Sequence, residues 1–170
     1  ETYDINKKST CSSLDAISTK SDILFVCLPT PMDKKTGECH IGIVQNVLNE
    51  LNELARLLDK CNIIVVKSTI PPGTTEKWNS VFPNIQIVFN PEFLTEANAI
   101  NDFKNQNRII IGGPRPATTK VKRLFAKAFP KVPIIKTGST HAEMVKYVTN
   151  CFLATKVSFA NEIYQLCESL

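Results

Sequence analysis

The run Ile63-Ile64-Val65-Val66-Lys67-Ser68-Thr69-Ile70-Pro71-Pro72-Gly73-Thr74-Thr75 decides the fold. Four consecutive branched apolar residues with no polar alternation read as a strand buried on both faces, as in parallel sheets covered by helices. The polar stretch that follows holds two prolines and a glycine, which end the strand and turn the chain toward a helix. The same grammar recurs on either side. Ile23 to Leu28, Ile85 to Phe89, Arg108 to Ile111 and Val132 to Ile135 are further short apolar runs. Between them Val44, Val47, Leu48, Leu51, Leu54, Ala55 and Leu58 recur at helical spacing, and Val121, Leu124, Phe125 and Ala128 mark a second helix from about Pro116 to Phe129. Strands alternating with helices predict the α/β class: a doubly wound, mostly parallel sheet with helices on both faces and right-handed crossovers.

Such sheets bind ligands at the carboxyl ends of their strands, so the polar residues after each apolar run are the places to search. Glu92 and Glu96 follow the third run, and two carboxylates in one cleft can divide acid, base and orienting roles; the alternative is a solvated turn. Ser68, Thr69 and Thr74 surround the Pro-Pro-Gly turn, where free backbone amides would meet phosphate or a ribose hydroxyl, unless the segment is only a rigid strand-to-helix turn. Tyr3-Asp4-Ile5-Asn6 looks like a strand end followed by an acid. In dinucleotide folds such an Asp holds the ribose hydroxyls about twenty residues after a glycine-rich turn that this chain lacks. The bland alternative for Asp4 is a surface residue.

From Thr140 to Leu170 about thirty residues pass without Pro or Gly, opened by Thr140-His141-Ala142-Glu143, which reads as a capping box. A helix of that length runs roughly 45 Å, more than a helix flanking a sheet needs. It is expected to leave the first domain, which places one unit at 1–137 and a second at 138–170. Lys146 and Asn150 share a face of this helix, where an ammonium and an amide can stabilise a developing oxyanion or can simply be solvated. Its apolar residues Tyr147, Cys151, Phe152, Phe159 and Ile163 predict a partner helix, most simply from a second subunit.

Composition narrows the function classes. The chain has 170 residues, 20 Lys and Arg against 16 Asp and Glu, and a net charge of +4, too small and scattered for a nucleic-acid surface. No window approaches the apolar length of a membrane span, and no signal-peptide core opens the chain, so a cytoplasmic protein is expected. The six cysteines form no C-x-x-C pair and read as reduced, buried small hydrophobes. His40 and His141 have no companions at ligand spacing, so no metal is expected, and His141 reads as solvent-facing. The chain begins without Met inside structured-looking sequence, which suggests an internal piece of a longer protein.

Four blocks in order resemble the UDP-glucose/GDP-mannose dehydrogenase family. They are Phe25-Val26-Cys27-Leu28-Pro29-Thr30-Pro31, Lys67 to Thr75, Asn90-Pro91-Glu92-Phe93-Leu94-Thr95-Glu96, and Ala142-Glu143-Met144-Val145-Lys146-Tyr147-Val148-Thr149-Asn150-Cys151-Phe152-Leu153-Ala154. Arg108 to Gly112 is a weaker fifth. The resemblance implies a Rossmann-like domain, incomplete on its N-terminal side, followed by the first helix of an α-helical dimerisation domain. It implies NAD as cofactor, held by Asp4, Leu28, Pro29, Thr30, Ser68, Thr69 and Glu96, and a nucleotide-sugar substrate contacted by Glu92, Phe93, Leu94, Thr95, Glu96, Lys146 and Asn150. It implies oxidation of the sugar at C6, UDP-glucose to UDP-glucuronate, by two hydride transfers through a cysteine thiohemiacetal and thioester. Glu92 would serve as acid or base in thioester hydrolysis, Lys146 and Asn150 would hold the C6 oxygen, and Thr69 would orient.

The departures are as specific. Ala97 stands where the family usually has Gly, the segment from Asp4 to Ser21 is shorter than in many members, and the family's catalytic cysteine lies beyond the long helix, so no nucleophile is assigned and the piece alone is expected to be inactive. The rival readings are a GDP-mannose 6-dehydrogenase, a beta-hydroxyacid dehydrogenase, which oxidises its alcohol once, and a non-catalytic nucleotide-binding or assembly module.

Overall fold

The computed structural model describes residues 1–170, apart from the side chain of Glu96. Five strands, β1 (Ile23–Val26), β2 (Ile63–Val66), β3 (Gln86–Phe89), β4 (Ile109–Gly112) and β5 (Ile134–Thr137), form one sheet in the order β1-β2-β3-β4-β5. All neighbours are parallel except β3 and β4, whose antiparallel pairing is confined to Phe89 opposite Gly112. The helices are α1 (Leu14–Lys20), α2 (Gly42–Leu57), α3 (Thr74–Val81), α4 (Ala99–Lys104), α5 (Arg115–Ala128) and α6 (Ser139–Ser169), with a 3-10 turn at Glu96–Asn98.

Both faces of the sheet are covered, unequally. Because side chains alternate along a strand, Leu24, Val26, Ile64, Val66, Ile87 and Phe89 point to one side, where they meet Val44, Leu48, Leu51 and Ala55 of α2, Trp78 of α3 and Ala142 of α6. Ile63, Val65, Val88, Ile109 and Ile111 point to the other and meet Ala117, Val121 and Phe125 of α5, with Phe129 and Val132 packed at the margin. Phe25 reaches Phe125 edge-on at 6.0 Å yet stays 43% exposed. The doubly wound sheet predicted from alternating strands and helices is present, and strand β2 coincides with the predicted run.

Several readings are corrected. The strand end expected at Tyr3 to Asn6 does not form. The segment is irregular, having no neighbouring strand to pair with, and Asp4 Oδ1 instead accepts from the backbone N–H of Asn6 and Lys7 to close a local turn. Helix α1 lies within the segment from Asp4 to Ser21 and is capped by Ser13, whose hydroxyl accepts from Ala16 N. The capping box fails as well. Gly138 is the N-cap of α6, Thr140 Oγ1 bonds Glu76 Oε2 of α3, and Glu143 turns away from its own helix end. The cysteines are free, but only Cys11 is buried; Cys27, Cys61, Cys151 and Cys167 are exposed. Two of these sit on the half of α6 that nothing covers, so helical spacing alone could not bury them.

Helix α6 approaches β4 closely because Gly112 has no side chain. A Cβ there would lie 2.6 Å from Ala142 Cβ and 2.9 Å from the Gly138 carbonyl oxygen. After Glu143 the helix climbs past the strand ends, and every residue from Asn150 onward is exposed. No helix among the described residues is long and apolar enough to cross a membrane.

Candidate functional site

The carboxyl ends of β1, β2 and β3 lie side by side, and polar side chains stitch the loops that leave them. Ser68 Oγ donates to the Leu28 carbonyl at 2.7 Å and accepts from Leu28 N at 3.0 Å, so one buried hydroxyl clasps the first loop to the second. Thr30 Oγ1 repeats the link by donating to the Thr69 carbonyl at 2.8 Å. These hydroxyls hold loop to loop, and half-buried Thr69 takes part in the second clasp through its carbonyl. A cavity of about 540 Å³ opens beside them, lined in part by Thr30, Cys39, Pro71 and Tyr147, a size common for small-molecule sites. Tyr147, expected on the free apolar face of α6, faces this cavity instead, and burial holds its phenol above the usual value.

The third loop carries the candidate acid. Asn90 is 2% exposed at the end of β3; its Nδ2 donates to the Ile110 carbonyl of β4, and its Oδ1 accepts from Lys67 Nζ at 3.1 Å. A buried amide between two neighbouring strands thus fixes where Pro91 and Glu92 emerge. Lys146 Nζ crosses from α6 to donate to the main-chain carbonyl of Glu92 at 2.6 Å, and two cations lie over the Phe93 ring, Arg108 at 4.5 Å and Lys146 at 5.8 Å from its centroid. Burial pulls the Lys146 ammonium below the ordinary lysine value, partly opposed by the nearby Glu92 charge. Lys67 is lowered for the same first reason, with Glu92 and Cys27 opposing and Lys146 adding to the shift. Cys27 is solvent-accessible, yet partial desolvation by the surrounding loops pushes its thiol up, with Lys67 opposing and Glu92 adding to the shift.

The predicted residues therefore separate into those that meet and those that do not. Glu92, Phe93 and Lys146 converge, Leu28, Thr30, Ser68 and Thr69 form the neighbouring clasp, and Asn150 follows Lys146 by about one turn of α6 in the open. Pro29 is exposed between the clasped residues and Leu94 is half-buried. Thr95 is engaged elsewhere: its N–H and hydroxyl both donate to Asp102 Oδ2, which holds that carboxyl below the usual range. Asp4 stays exposed in its own turn. The side chain of Glu96 lies outside the described residues. The backbone amides of the Pro-Pro-Gly turn, expected to be free for phosphate, are not. Gly73 N and Thr75 N donate to Glu143, and Thr74 N donates to the Pro71 carbonyl.

Three contributors were missed: Lys67, Asn90 and Glu143. The signal for Lys67 and Asn90 was a polar residue directly ending a fully buried strand, since a buried polar group must find a partner. His141 is exposed as expected, and no group of three or more His, Cys, Asp or Glu gathers as a metal site among the described residues.

Comparison with known proteins bears on this geometry. Residues 5–129 match the model of the UDP-glucose/GDP-mannose dehydrogenase family, NAD binding domain, and residues 140–170 match the model of its central domain. The chain is 37% identical over 155 residues to the UDP-glucose 6-dehydrogenase TuaD of Bacillus subtilis, which covers 87% of this chain and 32% of that protein. Among solved structures, a UDP-glucose dehydrogenase from Pyrobaculum islandicum superposes with a TM-score of 0.81 at 30% identity, covering 90% of this chain and 37% of that one. A ternary complex of GDP-mannose dehydrogenase from Pseudomonas aeruginosa gives 0.73 at 31% identity, covering 86% and 35%. The chain spans about a third of the length of the UDP-glucose 6-dehydrogenases it matches. With a family model covering most of its length and a sheet that superposes on that of its relatives, the chain belongs to the UDP-glucose/GDP-mannose dehydrogenase family.

Proposed function

We propose that the protein built on this chain oxidises UDP-glucose at C6 to UDP-glucuronate, with NAD as cofactor. One observation carries the reading: a desolvated lysine from α6 reaches across the strand ends to the loop bearing Glu92. The resemblance assigns that loop to the sugar nucleotide. When bound, NAD supplies the acceptor for hydride leaving C6. The residues suit such a cofactor, because the Ser68 and Thr30 clasps hold two loops rigidly beside an open cavity. Leu28, Pro29, Thr30, Ser68 and Thr69 hold the cofactor there, and Asp4 serves the ribose.

Lys146 and Asn150 then hold the C6 oxygen as negative charge develops on it, work that suits an ammonium in a partly dry site. Glu92 gives or takes the proton of the hydrolytic water, and Phe93, Leu94 and Thr95 shape the sugar-nucleotide side. No cysteine of this chain is assigned as nucleophile. We further propose that residues 1–137 form the cofactor unit, that 138–170 begin a second unit, and that the uncovered apolar half of α6 pairs with a second copy.

A second reading, GDP-mannose oxidation, is favoured by the 31% identity to the Pseudomonas aeruginosa enzyme. Absorbance at 340 nm with the full-length gene product, NAD and limiting UDP-glucose or GDP-mannose in parallel separates the two. Two NADH per UDP-glucose are expected. Two per GDP-mannose, with none from UDP-glucose, would transfer the proposal to that sugar. One NADH per sugar would indicate a single oxidation, and none with either would contradict the enzymatic reading.

A further inference from the structure

Glu143 has no role in the chemistry above, yet it is fully buried and makes three hydrogen bonds. Its Oε2 accepts from Gly73 N at 2.5 Å, and its Oε1 accepts from Thr75 N at 2.8 Å and Thr75 Oγ1 at 2.6 Å. The donors belong to the first turn of α3 and its N-cap, a few residues past the loop of Ser68 and Thr69. The acceptor belongs to α6, three residues before Lys146. Three donors converging on two oxygens define both the height and the rotation of α6. A slip of one residue turns a helix by about 100° and shifts it about 1.5 Å, which would carry Lys146 off the Glu92 carbonyl.

We infer that Glu143 is a positioning residue for the proposed oxidation: it locks α6 in the register that keeps Lys146 Nζ at Glu92 and joins the Ser68–Thr69 loop to the face carrying Lys146 and Asn150. Gly112 assists by letting the helix approach β4 until the carboxylate reaches α3. This inference rests on the nucleotide-sugar reading for its activity but on hydrogen bonds alone for its geometry.

The test uses the full-length gene product and the variants Glu143→Gln, Thr75→Val and Thr75→Ser, each also made with Lys146→Ala, whose slow turnover is read from NADH accumulated over hours. In Glu143→Gln the new amide turns a donor toward Gly73 or Thr75, so the helix loses its lock. The expected result is a kcat lower by about 30-fold or more, with both KM values within about 3-fold, because misplacing a catalytic group by about 1 Å costs on the order of 100-fold. In the Lys146→Ala background the same change should cost no more than about 2-fold, since residues acting as one unit are not additive. Thr75→Val should lose a smaller part of kcat and Thr75→Ser should restore it; these two carry the test if Glu143→Gln fails to fold. A lowered melting temperature with unchanged kcat would overturn the inference, as would an equal loss with and without Lys146. Absence of turnover in the unsubstituted protein would instead overturn the nucleotide-sugar reading, and this inference with it.

Discussion

The two halves of α6 follow one unbroken helix but obey different rules. Its first third docks on the sheet with few large apolar contacts: Ser139, Ala142 and Glu143 are its buried residues. The half beyond Asn150 carries Phe152, Leu153, Val157, Phe159, Ile163, Tyr164 and Leu166, all exposed. Hydrophobicity would have placed the contact at the wrong end. Docking is instead set by close backbone approach at Gly112 and by a polar anchor at Glu143, whereas the apolar half stays uncovered. The proposed function divides at the same place, since Lys146 lies on the docked part and reaches back to the Glu92 carbonyl.

The strongest way to break this contrast is Glu143→Ala. Three donors then lose their acceptor in a closed site, and leaving a buried donor unsatisfied costs about 1–3 kcal/mol each. A loss of at least about 3 kcal/mol is expected in thermal or urea unfolding. Gly112→Ala comes next. Its methyl would meet Ala142 Cβ and the backbone of Gly138 and Ser139, and overpacking of this kind costs about 1–3 kcal/mol. Both changes should spare the apolar half of the helix.

Activity should also follow the charge state of Lys146. In the proposed mechanism the active form is the ammonium, and burial lowers its pKa from the usual 10.5, so kcat should fall as pH rises through a value below 10.5. A pH profile of kcat whose alkaline limb shifts or vanishes in Lys146→Ala would support this assignment. The smallest effect on stability is expected from Phe152→Glu. This residue is 64% exposed in the single chain, so unfolding of the isolated subunit should change by no more than about 0.5 kcal/mol. Light scattering of the full-length protein should nevertheless show its mass fall to that of one subunit. An unchanged dimer, or a monomer before substitution, would contradict the proposed pairing.

Local rules explain which parts of this were legible. Ile63 to Val66 could be read as a buried strand because a four-residue branched run has few other fates, and the structure places β2 there. Lys146 and Asn150 could be placed on one face because helical spacing fixes it. Glu143 was misread because a carboxylate three residues after a threonine satisfies a capping pattern whether or not another helix offers better donors. That choice depends on α3, 70 residues away in sequence, and on the bare Cα of Gly112. The strand end at Tyr3 to Asn6 was misread because a strand needs a neighbour, and Tyr147 because the cavity facing it is built from loops with no periodicity.

The central claim is that the docked part of α6 delivers Lys146 to the reacting oxygen. Its most direct test is the kcat of the full-length Lys146→Ala variant for NAD reduction with UDP-glucose, measured beside light scattering. A fall of about 100-fold or more is expected, with the mass of the assembly unchanged. Turnover within about 2-fold of the unsubstituted protein would contradict it.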